Sequence, residues 1–267
     1  MVKKSSPLSN IYLVLVMLFL YLPIIILIAF SFNQSKYGGS WTGFTLKWYQ
    51  ELFKDKSIMK SLYSTIIVAL TTCLFSTIIG TIAAVGINAM GAKAKKITLN
   101  LSYLPMINPD IVVGVSLISL YSILNFQKLG YTTLILAHIT FCLPYVVFAV
   151  LPKLSQLDPH LEEAAKDLGA TPLQTFFMVV LPQIKPGIVS GALMAITLSL
   201  DDFIVSFFTT GSGVSTLSIK VYSMTKRGLS PKINALTTLM LLVLVTLMTI
   251  IQIGSNKDKK DIQKEDD

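Results

Sequence analysis

Ile11 to Phe32 is a 22-residue run with no formal charge. A helix needs about 20 such residues, at about 1.5 Å of rise each, to cross the roughly 30 Å hydrocarbon core of a bilayer. Comparable runs recur at Leu62 to Asn88, Ile97 to Leu124, Tyr131 to Leu151, Ile188 to Phe208 and Ile233 to Gly254. Lipid supplies no partner for a backbone N–H or C=O, so runs of this kind fold as helices. The expectation is an all-α polytopic membrane protein, with six transmembrane helices forming one permease domain over residues 1–267.

Composition points the same way. Charged residues make up 13% of the chain and hydrophobic residues 53%, against about 25% charged in soluble domains. The net charge of +8 is scattered through the connections rather than gathered on one face, which suits lipid headgroups and not nucleic acid. Cys73 and Cys142 both lie inside apolar runs and suggest neither a disulfide framework nor a thiolate metal site. Ala29-x-Ser31 mimics a signal cleavage site, but the apolar run before it is too long for a cleaved signal.

Several interruptions carry information. Pro23 should kink the first span. Pro105 and Pro109 stand four apart in Pro105-Met-Ile-Asn-Pro109-Asp110, where an unbroken helix is strained, so the backbone should bend there around a cavity. The polar connection from Asn33 to Lys60 holds Trp41, Trp48 and Tyr49, which suits an interfacial aromatic belt. Its functional alternative is a surface contacted by a substrate-delivering partner, or an aromatic wall against a cation at the pore mouth, with Trp48 the residue of choice. His138, alone on the fourth span, is expected to be a hydrogen-bonded packing residue.

Asp110, Asp201 and Asp202 lie within or at the edge of apolar runs. A charge at helix centre costs about 2.5–3.5 kcal/mol on the lenient insertion scale, so these carboxylates should face a polar cavity, a partner or the interface. One reading is structural, an Asp accepting hydrogen bonds at a helix break. The other is a carboxylate-lined route for a cation, in which the acids replace the lost hydration of ammonium groups. Adjacent helical positions point about 100° apart, so Asp201 and Asp202 should not share one role.

The most polar internal stretch, 158–187, carries its own helix punctuation. Asp158 suits an N-cap, Pro159 the first turn and Gly169 the left-handed position after the last. Leu161, Ala164, Ala165 and Leu168 share one small apolar face opposite Glu162, Lys166 and Asp167. Thr171, Pro172 and Gln174 then open a second helix through a capping box, giving two short helices joined by a turn.

Glu163-Ala164-Ala165, followed after three residues by Gly169 and after nine more by Val179-x-Leu181-Pro182, resembles the EAA loop of the membrane subunits of bacterial ABC importers. Val179 stands where Ile is usual. The resemblance implies a coupling helix that docks on a cytoplasmic ATPase, with Glu162, Glu163, Ala164, Ala165, Asp167, Leu168, Gly169 and Pro182 as coupling residues.

The likeness extends through YLPIIILIAFSFNQS, WTGFTLKWY, NPDIV, HITFCLPYVV, LSLDDFIVSFFTTG and IKVYSM, which together resemble the spermidine/putrescine permeases of ABC importers. That resemblance implies the type I importer permease fold in the bacterial inner membrane and translocation by alternating access. It also implies a second homologous permease subunit, two copies of the ATPase and an external polyamine-binding protein. Trp48, Asp110, Asp201 and Asp202 are then the expected path residues.

Six spans put both termini and the 158–187 loop on one side, the cytoplasmic one if an ATPase docks there. The charge bias is weak, 12 Lys and Arg on that side against 10 on the other. No G-x-x-x-x-G-K-[ST] sequence occurs, so ATP and Mg are expected to be bound by the partner ATPase and the chain itself to need no cofactor. No HExxH, G-x-S-x-G or Cys/His cluster supplies a catalytic or metal site. Two alternatives remain at this point: a permease for iron, sulfate or a similar anion, and an ATP-independent channel or secondary transporter. The first should place basic groups at membrane depth, and none of the 22 Lys and Arg sits clearly inside a span.

Overall fold

The computed structural model describes residues 7–35, 40–126, 128–226, 228 and 230–265. Lys3 and Lys4, expected to flank the first span, and the last two residues of the charged tail lie outside these. The described chain is almost wholly helical, and it divides into two compact units.

One unit takes in residues up to Met59 together with Val221–Thr249. It opens with α1 (Pro7–Ser31), which runs without interruption through Pro23. Tyr12 and Phe19 are 71% and 78% exposed, and no residue in the most apolar stretch of α1 is buried among the described residues. Such an all-round apolar surface suits hydrocarbon.

The connection after α1 is ordered by a buried asparagine. The Asn33 side-chain amide donates to the Ser40 carbonyl (2.8 Å), and its Oδ1 accepts from the Thr42 backbone N–H (2.9 Å). Its own carbonyl accepts from Trp48 Nε1 (2.7 Å), on the short helix α2 (Lys47–Lys54). The end of α1 is pinned in turn where the Ser31 and Tyr49 hydroxyls meet at 2.7 Å. Lys232 Nζ closes on Asp55 Oδ2 at 2.7 Å. That pair holds the Asp55 carboxyl below its ordinary value, and burial opposes the shift only in part.

The other unit holds Lys60–Lys220 and the chain from Ile250 on. Here α3 (Lys56–Ala89) and α6 (Tyr131–Ser155) are long enough to span the bilayer. The expected third span is instead two helices, α4 (Ala92–Ile107) and α5 (Asp110–Ile123), bent by 104° at Asn108-Pro109. Asn108 and Pro109 are both extended, ψ 141° and 139°, the conformation a following proline imposes on Asn108.

The second helical start in the polar loop opens the fifth span itself instead of a separate short helix. After α7 (Pro159–Asp167), the chain is helical from Pro172 to Asp201: α8 (Pro172–Thr175), a π turn over Phe176–Val180 and α9 (Leu181–Asp201). The helix therefore begins well before the expected Ile188. Pro182 and Pro186 both lie within this helix. Pro182 has no N–H to close a regular turn, and just ahead of it the ladder widens so that Leu181 N–H reaches the Phe176 carbonyl.

A short α10 (Ile204–Thr209) follows α9 across a break at Asp202-Phe203, then α11 (Leu217–Thr225) and α12 (Pro231–Glu265). Four helices, α1, α3, α6 and the Pro172–Asp201 stretch, suffice as spans alone. The bent pair makes a fifth if it is counted as one span, and α12 has a shorter apolar stretch, Pro231–Thr246, where the sixth is expected.

The centre of the second unit is α6, where Leu134, Ala137, His138, Cys142, Val146 and Val150 are fully buried. Against it lies α9, through Gly187-Ile-Val-Ser-Gly191. A Cβ on Gly187 would stand 3.0 Å from the Ala149 carbonyl oxygen, and one on Gly191 3.2 Å from Val146 Cα. Small residues four apart let the two backbones touch where no hydrophobic effect drives helices together.

Candidate functional site

Two places in the second unit gather polar groups. The first is the break between α9 and α10. Because α10 packs on α5 and α6, the break faces the start of α5, just past the 104° bend. Asp110, Asp201 and Asp202 line a single cavity of about 360 Å³ there, with Phe141, Thr197 and Phe203 among its walls and no lysine or arginine. All three expected acids of the route are thus brought together. Asp110 occupies the first turn of α5, where the helix dipole favours a negative charge. Asp110 and Asp201 are exposed and make no hydrogen bond or ion pair among the described residues.

Asp202 differs. Its side chain is 4% exposed, and its two oxygens accept from the backbone N–H groups of Val205 (3.1 Å) and Ser206 (2.7 Å), which satisfies the first donors of α10. The same carboxylate lies 3.4 Å from His138 Nε2. His138 is fully buried, with Nε2 2.9 Å from Ser206 Oγ and Nδ1 2.8 Å from Ser199 Oγ. A carboxylate only accepts, so Nε2 is the protonated nitrogen and Nδ1 accepts from Ser199. His138 is therefore the hydrogen-bonded packing residue expected of it. Ser199 and Ser206 carried no sequence signal, since only the break puts both against one imidazole.

The second place is the loop after α6. Asp158 Oδ1 accepts from His160 N–H (3.0 Å) with Pro159 in the first turn. At the other end Gly169 has φ +86°, Ala170 N–H reaches the Ala165 carbonyl (3.1 Å) and Gly169 N–H that of Lys166 (2.9 Å). This is a complete Schellman stop. Thr171 and Gln174 close the expected capping box, Gln174 Oε1 accepting from Thr171 N–H at 2.8 Å.

Glu162, Glu163, Ala164, Asp167, Leu168, Gly169 and Pro182 are exposed and Ala165 half-buried. Leu168 is 90% exposed, with Leu173 and Met178 beside it in sequence at 71% and 75%. Glu162 and Glu163, with Asn88, Lys95, Asp158 and Lys166, border a polar hollow of about 510 Å³. Such exposure of large apolar side chains on a polar loop marks a surface made for contact.

Trp48 belongs to the first unit. It is 7% exposed with its N–H committed to the Asn33 carbonyl, so it anchors the connection after α1. Among the described residues no three His, Cys, Asp or Glu side chains are grouped to hold a metal ion.

Residues 76–257 match the family described as binding-protein-dependent transport system inner membrane component. The chain is 36% identical to the spermidine/putrescine transport system permease protein PotC of Haemophilus influenzae, over 94% of this chain and 97% of that one. It is 40% identical to the putrescine transport system permease protein PotI of Escherichia coli K12, over 79% and 78%. Among solved structures, a bacterial ABC transporter for import of the acidic polysaccharide alginate superposes with a TM-score of 0.68 at 19% identity, over 94% of this chain and 93% of that one. The MetNI methionine ABC transporter does so with a TM-score of 0.59 at 21% identity, over 77% and 95%. At these identities the two structures establish the fold alone.

Proposed function

Since the chain belongs to the binding-protein-dependent transport system inner membrane components, we propose that it is the polyamine-translocating permease subunit of an ATP-driven importer. The observation that carries the cargo assignment is the cavity at the α9–α10 break, where three carboxylates meet at membrane depth with no basic side chain. An ammonium group that leaves water requires replacement for its hydration shell, and carboxylates supply it. The names of the relatives support the same cargo, spermidine or putrescine. An anion permease would need basic groups or free helix amino termini in that place, whereas the first turns of α5 and α10 are already met by Asp110 and Asp202.

Energy comes from outside the chain in this reading. A cytoplasmic ATPase in two copies binds ATP and Mg²⁺ and grips the exposed α7, a second homologous permease completes the pathway, and an external polyamine-binding protein delivers cargo. Both termini then face the cytoplasm. Closure of the ATPase pulls on α7, and the helical continuity from Pro172 to Asp201 carries that movement to the carboxylates. Alternating access follows.

The test is uptake of labelled spermidine and putrescine into proteoliposomes that hold the chain with its copurifying partners, with ATP on the ATPase side. ATP-dependent uptake competed by unlabelled polyamine is expected. ATP hydrolysis without polyamine uptake would leave the importer standing and remove its cargo.

A further inference from the structure

We propose that His138 is a positioning residue of the cation route, clamping the α9–α10 break so that Asp202 serves the backbone and Asp201 alone of the adjacent pair faces the cargo. The inference rests on the cation-route reading above and adds a division of labour to it.

The geometry is specific. His138 sits on α6, a continuous helix, and ties down both sides of the interruption: Ser199 on the last turn of α9 and Ser206 on α10. Its Nε2–H also faces the Asp202 oxygen that accepts from Ser206 N–H. With both oxygens occupied by backbone donors and its side chain 4% exposed, Asp202 has little capacity left for a cation. Asp201, one residue earlier and exposed, has all of its own.

Sequence neighbours on an uninterrupted helix diverge by about 100°. Here the divergence is made permanent: both carboxylates border the cavity, but the oxygens of Asp202 are held by backbone donors while those of Asp201 are left to the cavity beside Asp110. Without the imidazole, Ser199 and Ser206 lose their common partner, and the link from α6 to both sides of the break is gone. The aim of Asp201 then becomes variable. His138 itself is buried and never meets the cargo, so it acts through Asp201.

A double-mutant cycle on the assembled transporter tests this, with initial rates of labelled spermidine uptake measured across concentration for His138→Leu, Asp201→Asn and the pair. His138→Leu should raise KM about tenfold, and the pair should stay within about twofold of Asp201→Asn alone, because a clamp has nothing to position once the charge is gone. Multiplied effects in the pair, or a wild-type KM for His138→Leu, overturn the inference while the cation route survives. Unchanged uptake by Asp201→Asn overturns the cation route itself, and the clamp with it.

Two amides cover the case in which His138→Leu does not accumulate. The side chain of His138→Gln reaches the Nε2 side, toward Ser206 and Asp202, and that of His138→Asn only the Nδ1 side, toward Ser199. The first should keep KM within about threefold of wild type and the second should not. Equal KM values for the two overturn the proposal.

Discussion

Gly187 and Gly191 stand one turn apart on α9, and each is pressed against the backbone of α6. The obstruction is main chain, the Ala149 carbonyl for one and Val146 Cα for the other, so no rotamer change relieves it. Gly187→Val should cost about 1–3 kcal/mol through overpacking. A lower midpoint for thermal loss of the monodisperse peak in detergent is the expected result, and an unchanged midpoint would show that α6 and α9 separate freely there.

Gly169 poses a different problem for a side chain. A Cβ there would meet nothing within 4 Å, but φ is +86°, a conformation that costs L-residues about 1–2 kcal/mol and β-branched ones more. Gly169→Val should therefore leave membrane abundance normal and spoil the stop of α7, separating ATP hydrolysis from uptake. Normal uptake per ATP hydrolysed at normal abundance is the outcome that defeats this expectation.

At the cavity, removing either free carboxylate should weaken transport. A hydrogen bond to a charged group contributes about 1.5–3 kcal/mol, which corresponds to roughly a tenfold to hundredfold loss in uptake kcat/KM for Asp110→Asn or Asp201→Asn. Asp→Glu at either position should recover most of it. If the Asn variants import polyamine like wild type, carboxylates do not carry the cation.

Acid should undo the Asp55–Lys232 pair. Lys232 holds the Asp55 carboxyl below its ordinary 3.8, so the stabilisation is fully present above that value and is lost as pH falls through the lower folded value. The pair is partly exposed, and about 0.2–1 kcal/mol is expected. Asp55→Asn should thus lower the thermal midpoint at pH 7, and the gap to wild type should close as the pH drops below about 3.8. A gap that does not narrow at all as the pH falls below about 3.8 would assign the loss to packing.

What was legible in the sequence was local. Asp158, Gly169 and the Thr171–Gln174 box act over three or four residues, so their type and spacing sufficed to place α7 and the turn after it. Pro105 and Pro109 announced a bend for the same reason. The role of Asp202 was not legible, because the imidazole that faces it comes from a helix 64 positions earlier in the chain. Asn33 escaped for a related reason: a buried asparagine looks like any other loop asparagine until the backbone it collects is in place. That the helix leading into the fifth span starts as early as Pro172 was not legible either, since it runs on through Pro182 and Pro186 with an altered turn ahead of them.

That altered turn has a consequence for how the chain tolerates changes in length. A π turn holds one residue more than the α turn it replaces, so a single deletion within Phe176–Val180 returns the ladder to α with the helix on either side in its former register, at the cost of a clash between the Pro182 ring and the carbonyl one turn back. The same deletion after Leu181 would rotate everything beyond it by about 100°, lifting Gly187 from α6 and turning Asp201 out of its cavity. Among the described helices this is the one place where loop and route are joined by a spare residue.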